Sequence, residues 1–262
     1  MTYYLDFNDR RLPYVQSLLK ADGVKTDVFS IENLSKIKKE DVIVLSPAYK
    51  WNVDEVKKLC SDITVVCGNV NDEVLNIFNT KKITYLNLMK DEDFVFKNAI
   101  LTAEGMLCDL ILYTKKSIFD TKILLLGGGR VSKAVGVLFN KLGLNFDISM
   151  RNNEKLIECQ LVTKNLVRWT DFKNLLKNYD VVINTIPSQI FNQDDVNKFK
   201  DNCIVFELAS VKCLQNVVFE RFGYVLCPAL PSKYTPQTAG ELVYQYLVKN
   251  IKGDNKWTLL LV

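Results

Sequence analysis

The chain contains no histidine. That absence excludes Ser-His-Asp and Cys-His nucleophilic machinery, along with the usual histidine-bearing zinc sites. Proton transfer must fall to Asp, Glu, Lys, Tyr, Cys, water or the substrate itself. The seven cysteines (Cys60, Cys67, Cys108, Cys159, Cys203, Cys213 and Cys227) are odd in number and form no CxxC pair. They read as reduced thiols of a cytosolic protein, not as a disulfide framework or a metal clip. No apolar run approaches the roughly 18 residues of a membrane span. The opening "MTYYLDFNDRR" lacks the basic-then-apolar order of a secretory signal. Net charge is only +4, from 34 Lys and Arg against 30 Asp and Glu, and it is evenly spread. Nothing therefore points to nucleic acid. There is no repeat, Pro/Ser-rich linker or low-complexity tract.

What the chain does contain is alternation. Short strand-like runs at 3–7, 26–30, 41–46, 63–68 and 83–88, those at 41–46 and 63–68 rich in Val and Ile, are separated by amphipathic stretches such as "RRLPYVQSLLKADG" and "NVDEVKKLC". A long helical pattern over 98–117 is apolar around much of its circumference, which predicts burial on most sides. The strand pattern restarts with "KILLLG" at 122, then at 146–150, 166–169, 180–187, 203–210 and 224–230, and a helix with Pro236 in its first turn closes it. Apolar strands alternating with helices predict an α/β protein with two doubly wound parallel-sheet domains, the second a Rossmann dinucleotide-binding domain. The expected boundaries are 1–98 for an N-terminal α/β domain of substrate or catalytic type and 99–235 for the Rossmann domain, with 236–262 packing back on the first. The final "KWTLLLV" is apolar enough to favour packing on the domain or on a partner.

The most pointed stretch is "TKILLLGGGRVSKAVGVLFNKLG" (121–143). Gly127 lets the chain turn sharply out of a strand. Gly129 lets the backbone approach a pyrophosphate, and Ser132 holds the small third position of G-x-G-x-x-G. The start of the following helix, with Arg130 and Val131, would then present N–H groups and a positive dipole end to the phosphates. The competing reading is a tight strand-to-helix corner with no ligand. NAD sites usually place a carboxylate at the end of the second strand; here Arg151 and Asn152 stand there, and a guanidinium suits a 2′-phosphate. Arg151 thus favours NADP(H), unless it is only a solvated surface cation. In "DVVINTIP", Asn184, Thr185, Ile186 and Pro187 end an apolar strand where the nicotinamide would lie, or form a plain turn.

With the glycine turn, "NTIPSQIF", "ELAS" and "PALPSKYTPQTAG" read together, the chain resembles the family of the A-type, NADP-binding subunit of dipicolinate synthase. That family's T-x-E-G falls on Thr102, Glu104 and Gly105, its G-x-G-R on Gly127, Gly129 and Arg130, and its A-R-S element on Met150, Arg151 and Asn152. Its I-N-T-I-P is intact from Ile183 to Pro187. Its D-L-A-S-R-P-G-G survives as Glu207, Leu208, Ala209 and Ser210, then fails at Val211, Lys212, Cys213 and Leu214. Its P-G-L-P-G turn reads Pro228, Ala229, Leu230, Pro231 and Ser232, followed by Thr235, Pro236, Thr238, Ala239 and Gly240. The match is good from about Thr102 to Ile251 and weaker before it.

The resemblance implies an NADP-dependent oxidoreductase subunit that oxidises a dihydrodipicolinate-type dicarboxylate to dipicolinate during sporulation, in the mother-cell cytoplasm of a spore-forming bacterium. It implies a small flavoprotein-like second subunit as partner; a homodimer is a further option. Ser210, Lys212 and Glu104 are then the catalytic candidates, and Thr102, Ser210, Pro231 and Thr238 the substrate contacts. A dicarboxylate needs cations, and Lys212, Lys233, Arg10 and Arg11 are available, though each lysine taken alone reads better as an exposed loop cation. Thr102 and Glu104 read alternatively as an N-cap and a first-turn acid. Tyr234 and Glu207 are candidates for proton transfer. The departures at Val211, Ala229 and Ser232 keep two other readings open: a non-catalytic NADP-binding subunit with a decayed substrate site, and an NADP-dependent reductase of another small acid.

Overall fold

A computed structural model of the chain describes residues 1–163, 165–215, 218 and 220–252. The apolar "KWTLLLV" lies outside the described residues. Contacts divide the chain into two compact units, residues 1–98 with the segment from 231 onward, and residues 99–230.

The first unit carries five strands, β1 (Tyr3–Leu5), β2 (Thr26–Val28), β3 (Val42–Val44), β4 (Thr64–Cys67) and β5 (Thr84–Asn87). All pair in parallel, in the order β2-β1-β3-β4-β5. Helices α1 (Leu12–Ala21), α2 (Val53–Lys58) and α3 (Asp72–Thr80) connect them. Successive side chains of a strand point to opposite faces, so the apolar strands feed two cores. Tyr4, Ile43 and Val65 pack with Phe29, Val56 and Phe78. Tyr3, Leu5, Val42 and Val44 pack with Leu12, Val15 and Leu19. Asn52 caps α2 in a capping box with Glu55, and the Asn71 carboxamide accepts the Val74 N–H of α3 at 2.9 Å.

The long helix α4 (Glu92–Tyr113) starts six residues before the predicted 98 and stops four before 117. The Asp91 carboxylate accepts the Phe94 N–H at 2.8 Å and sets that start. Burial is also less complete than its apolar composition predicts: Ile111, Leu112 and Tyr113 are exposed.

The second unit carries β6 (Ile123–Leu126), β7 (Phe146–Met150), β8 (Leu166–Arg168), β9 (Val181–Asn184), β10 (Ile204–Glu207) and β11 (Gly223–Leu226). The order is β11-β10-β9-β6-β7-β8, again all parallel. Numbered within the unit, this is 6-5-4-1-2-3, the doubly wound dinucleotide-binding order. Helix α5 (Arg130–Leu142) joins β6 to β7 and ends at Gly143, whose φ of 71° is the left-handed C-cap conformation. Phe139 of α5 meets Phe146 edge-on at 5.9 Å. Short helices α6 (Asn153–Glu158) and α7 (Phe172–Leu175) follow. The opposite core packs Leu124, Leu126, Val182 and Val205 with Phe172, Phe191, Phe199 and Phe222.

The chain then enters α8 (Leu230–Tyr234) and α9 (Pro236–Leu247). Val243, Tyr246 and Leu247 of α9 pack with Leu12, Val15 and Leu19 of α1. Gly240 permits the closest approach, because a Cβ there would stand 2.7 Å from the Arg11 carbonyl.

Candidate dinucleotide-binding site

In a doubly wound sheet the ligand crevice lies beyond the carboxyl ends of the strands, where the strand order reverses. In the second unit that point is between β6 and β9. The loop after β6 is Gly127–Gly129, and the loop after β9 begins at Thr185.

The three glycines have three different reasons. Gly127 holds φ at +118°, and a Cβ there would run into Thr185 Oγ1 and stand 3.3 Å from Ile186 Cγ1. Both the backbone conformation and the neighbouring loop require glycine. At Gly128 a Cβ would run into the Met150 side chain. At Gly129 φ is −78° and a Cβ would meet nothing within 4 Å. The protein itself therefore makes no demand for glycine there, whereas a phosphate approaching the backbone would. Gly129 is the N-cap of α5 and has no side chain to cap the first amides. Uncapped N–H groups at the positive helix end suit an anion.

Ser132, expected only to be small, does more. It is 1% exposed, and its hydroxyl donates to the Gly127 carbonyl at 2.7 Å. Val131 beside it is half-buried, and Arg130 is exposed at the first helical position. Strand β7, paired beside β6, ends at the buried Met150, and Arg151 and Asn152 follow it, exposed. Arg130 and Arg151 thus follow the carboxyl ends of adjacent strands. The residues present fit a nicotinamide dinucleotide.

The β9 loop is fixed by its own polar groups. Strand β9 stops at Asn184, three residues before the proline predicted to end it. The fully buried Asn184 carboxamide accepts the Ile186 N–H at 3.0 Å and donates to the Ile186 carbonyl at 3.0 Å, so the side chain replaces the ladder. Thr185 donates through both N–H and Oγ1 to the Leu126 carbonyl, at 3.0 and 2.8 Å, and so ties this loop to the end of β6. Ile186 is half-buried and Pro187 exposed.

Glu207 ends β10 and is 3% exposed. Its carboxylate accepts from Asn184 Nδ2 at 2.7 Å, Ala209 N at 3.0 Å, Cys213 N at 2.7 Å and Tyr224 Oη at 2.9 Å. A buried acceptor already engaged by four donors is not a proton shuttle, which corrects the role expected of it. The neighbouring Cys213 thiol and Tyr224 hydroxyl both have raised pKa values, first through burial and then through the adjacent charge. Ser210, Val211 and Lys212 follow on the same loop, all exposed.

Thr102 and Glu104 lie in the third and fourth turns of α4, so the reading as N-cap and first-turn acid is overturned; Asp91 has that task. Thr102 is half-buried and Glu104 exposed.

The remaining candidates belong to the first unit. Arg11 is 5% exposed and its Nε donates to Asp9 Oδ1 at 2.9 Å, so it is not a free cation for a dicarboxylate. Burial pushes the Asp9 carboxyl up, but the hydrogen bonds and charge of Arg11, with a hydrogen bond from Ser232, outweigh it and hold the pKa below the usual carboxylate range. Ser232 Oγ donates to Asp9 Oδ1 at 2.9 Å, which explains the side chain in place of the resembled family's glycine. Arg10 is exposed. Pro231 is buried in α8, Lys233 lies 4.5 Å from the centre of the half-buried Tyr234 ring, and Thr238 is exposed in the first turn of α9.

Cys67, Cys159, Cys203, Cys213 and Cys227 are buried, and none of the seven cysteines forms a disulfide. Burial raises Cys67 to about 11 and Cys203 to about 12, which suits inert packing. Among the described residues no cluster of three His, Cys, Asp or Glu could hold a metal, and no helix is long and apolar enough to cross a membrane.

Comparison with known proteins points in the same direction as the motifs. No family model matches the chain. The A-type subunit of dipicolinate synthase from Bacillus subtilis (strain 168) is 27% identical over 238 residues, covering 89% of this chain and 74% of the relative. The crystal structure of the corresponding dipicolinate synthase subunit from Bacillus halodurans superposes with a TM-score of 0.80 at 20% identity, over 95% of this chain and 97% of that one. A transhydrogenase from Sinorhizobium meliloti shares the fold with a TM-score of 0.70 at 13% identity, over 95% and 92% of the two chains.

Proposed function

We propose that this chain, a relative of the A-type subunit of dipicolinate synthase, is the NADP(H)-binding subunit of an oxidoreductase acting on a small dicarboxylate. The observation that carries the reading is Gly129. Its Cβ position is open, its φ is ordinary, and it stands at a helix start without a side-chain cap at the reversal point of the sheet. An external group approaching the backbone gives glycine a purpose there that the protein's own packing does not.

The N–H groups at the start of α5 would hold the pyrophosphate, with Arg130 and Val131 at the same turn. Arg151, with Asn152 beside it, would hold a 2′-phosphate through paired hydrogen bonds. The loop Asn184, Thr185, Ile186 and Pro187 would form the wall on the nicotinamide side. When bound, the nicotinamide supplies the hydride acceptor for a dihydropyridine dicarboxylate, which loses a hydride and a proton and gains an aromatic ring. Little acid–base machinery is needed, in keeping with a chain without histidine. Ser210 and Lys212 would hold a substrate carboxylate, and Thr102 and Glu104 would complete the second unit's contribution. A flavoprotein-like partner, a second copy of the chain and a sporulating cytoplasm are parts of the same proposal. The exposed Val211 favours one alternative, an NADP-binding subunit that does not itself turn over the dicarboxylate, because valine cannot replace the guanidinium of the resembled pattern.

Calorimetry with NADPH and NADH tests the cofactor, and NADPH should bind more tightly. Arg151→Asp should reverse that order, with a loss of roughly 1.5–3 kcal/mol for NADPH. Turnover is tested with NADP⁺ and freshly prepared dihydrodipicolinate precursor, with and without a candidate flavoprotein partner. Pyridine-dicarboxylate absorbance should appear and weaken in Lys212→Ala. Equal affinities for both cofactors would sink the NADP assignment, and bound cofactor without product in either mixture would favour the non-catalytic reading.

A further inference from the structure

Asn184 ends one strand, Glu207 the next, and the two are joined in a buried hydrogen bond of 2.7 Å. We infer that Glu207 is a positioning residue that presets the Asn184–Pro187 loop for the nicotinamide half of the cofactor, and that the position requires a carboxylate because it must accept from four donors at once. This inference rests on the reading of that loop as the nicotinamide wall.

The balance of donors and acceptors decides the residue type. Glu207 Oε1 accepts from Asn184 Nδ2 and the Ala209 N–H; Oε2 accepts from the Cys213 N–H and the Tyr224 hydroxyl. An ionised carboxylate has acceptor sites for all four and no donor of its own. A glutamine in the same place has one acceptor oxygen and one donor amide. With that amide toward Cys213, it faces the backbone N–H of Cys213, donor against donor; the Tyr224 hydroxyl can turn to accept, but Cys213 cannot. With the amide toward Asn184, the Ala209 N–H is orphaned. Asn184 cannot flip to help, because its oxygen is already held by the Ile186 N–H at 3.0 Å. Every arrangement leaves a buried donor unmet, and the loop must shift to meet it.

The consequence is selective. The pyrophosphate turn and Arg151 lie on β6, β7 and α5 and make no hydrogen bond with Glu207; the loop's tie to the turn, Thr185 to the Leu126 carbonyl, uses groups that Glu207 does not touch. The Asn184 amide and the Ala209–Cys213 loop bond to Glu207 directly, and the Ile186 backbone is tied to it through Asn184. Loss of the carboxylate should therefore loosen the nicotinamide wall and spare the adenosine side.

The test compares NADPH with 2′-phospho-ADP-ribose, which lacks the nicotinamide, on the full chain. In wild type both should bind, and NADPH at saturation should show the enhanced nicotinamide emission of an immobilised ring. In Glu207→Gln the fragment's dissociation constant should stay within about twofold, while NADPH weakens up to about tenfold, the scale of one lost ordinary hydrogen bond. The emission should fall toward that of free NADPH even at saturation. Tyr224→Phe removes one donor and leaves the carboxylate, so it keeps the test open if the glutamine variant does not fold. It should lower the emission in part and leave the fragment unaffected. A glutamine variant that matches wild type in emission, or one that weakens both ligands equally, would overturn the inference; so would an unchanged emission in Tyr224→Phe. Wild type that binds the fragment but shows no emission change with NADPH would instead remove the loop from the nicotinamide, and the inference with it.

Discussion

Ser132 Oγ donates to the Gly127 carbonyl at 2.7 Å, so the residue in the third glycine position of the turn fastens the first. The bond is buried, with Ser132 1% exposed. Ser132→Ala should cost about 1 kcal/mol: a lost buried hydrogen bond of roughly 1–2 kcal/mol, offset in part by alanine's better helix propensity. Urea unfolding measures the cost directly. An unchanged midpoint would mean that the serine is tolerated only for its size.

Gly127 and Gly129 should respond oppositely to substitution. Gly127→Ala must hold φ near +118° and displace Thr185, so the fold should lose about 3 kcal/mol. Gly129→Val meets open space and an ordinary φ, so the urea midpoint should barely move. Binding of NADPH should nevertheless be lost in Gly129→Val, because the branched Cβ stands where the pyrophosphate approaches. Normal NADPH binding by Gly129→Val would reduce the turn to a tight strand–helix corner.

Much of this arrangement is legible in the sequence because it is local. All eleven strands among the described residues overlap the predicted strand runs, and the glycine turn carries its own spacing. What the sequence hides is non-local. Nothing in "ELAS" says that Glu207 is met by donors from β9, β11 and its own loop, since Tyr224 is 17 residues away and Asn184 23. Ser232 and Asp9 lie 223 positions apart, so their bond has no signal beyond an unexplained serine for glycine. Thr102 misleads because Asp91, the true cap of α4, precedes two further acids and looks like ordinary surface charge.

Ala229 carries a cost that the sequence hints at and the backbone makes specific. It holds φ at +50°, the left-handed region, where the resembled pattern has glycine. An L-residue there costs roughly 1–2 kcal/mol. Ala229→Gly should relieve that strain, less the extra freedom glycine has in the unfolded chain, for a net gain of about 0.5–1 kcal/mol. A raised urea midpoint checks it; a lowered one would show that the methyl group's packing outweighs the strain.

Acid should loosen the start of β9. Asp180 precedes that strand and accepts from Lys116 Nζ and Lys200 Nζ, each at 2.7 Å, and from the Lys122 N–H at 2.9 Å. Burial pushes its carboxyl up, but the two lysines and the backbone N–H outweigh burial and hold it at about 2, against an ordinary 3.8. The folded pKa is therefore the lower of the two. The stabilisation is fully present above the ordinary value and is lost as pH falls from about 4 through about 2. Partial exposure of both lysines screens the pair, so the contribution should be about 1–2 kcal/mol. Asp180→Asn should lower the urea midpoint at pH 7, and its deficit against wild type should shrink progressively between pH 4 and pH 2. A deficit as large at pH 2 as at pH 7 would show that the charge on Asp180 is not what ties the start of β9 to Lys116 and Lys200.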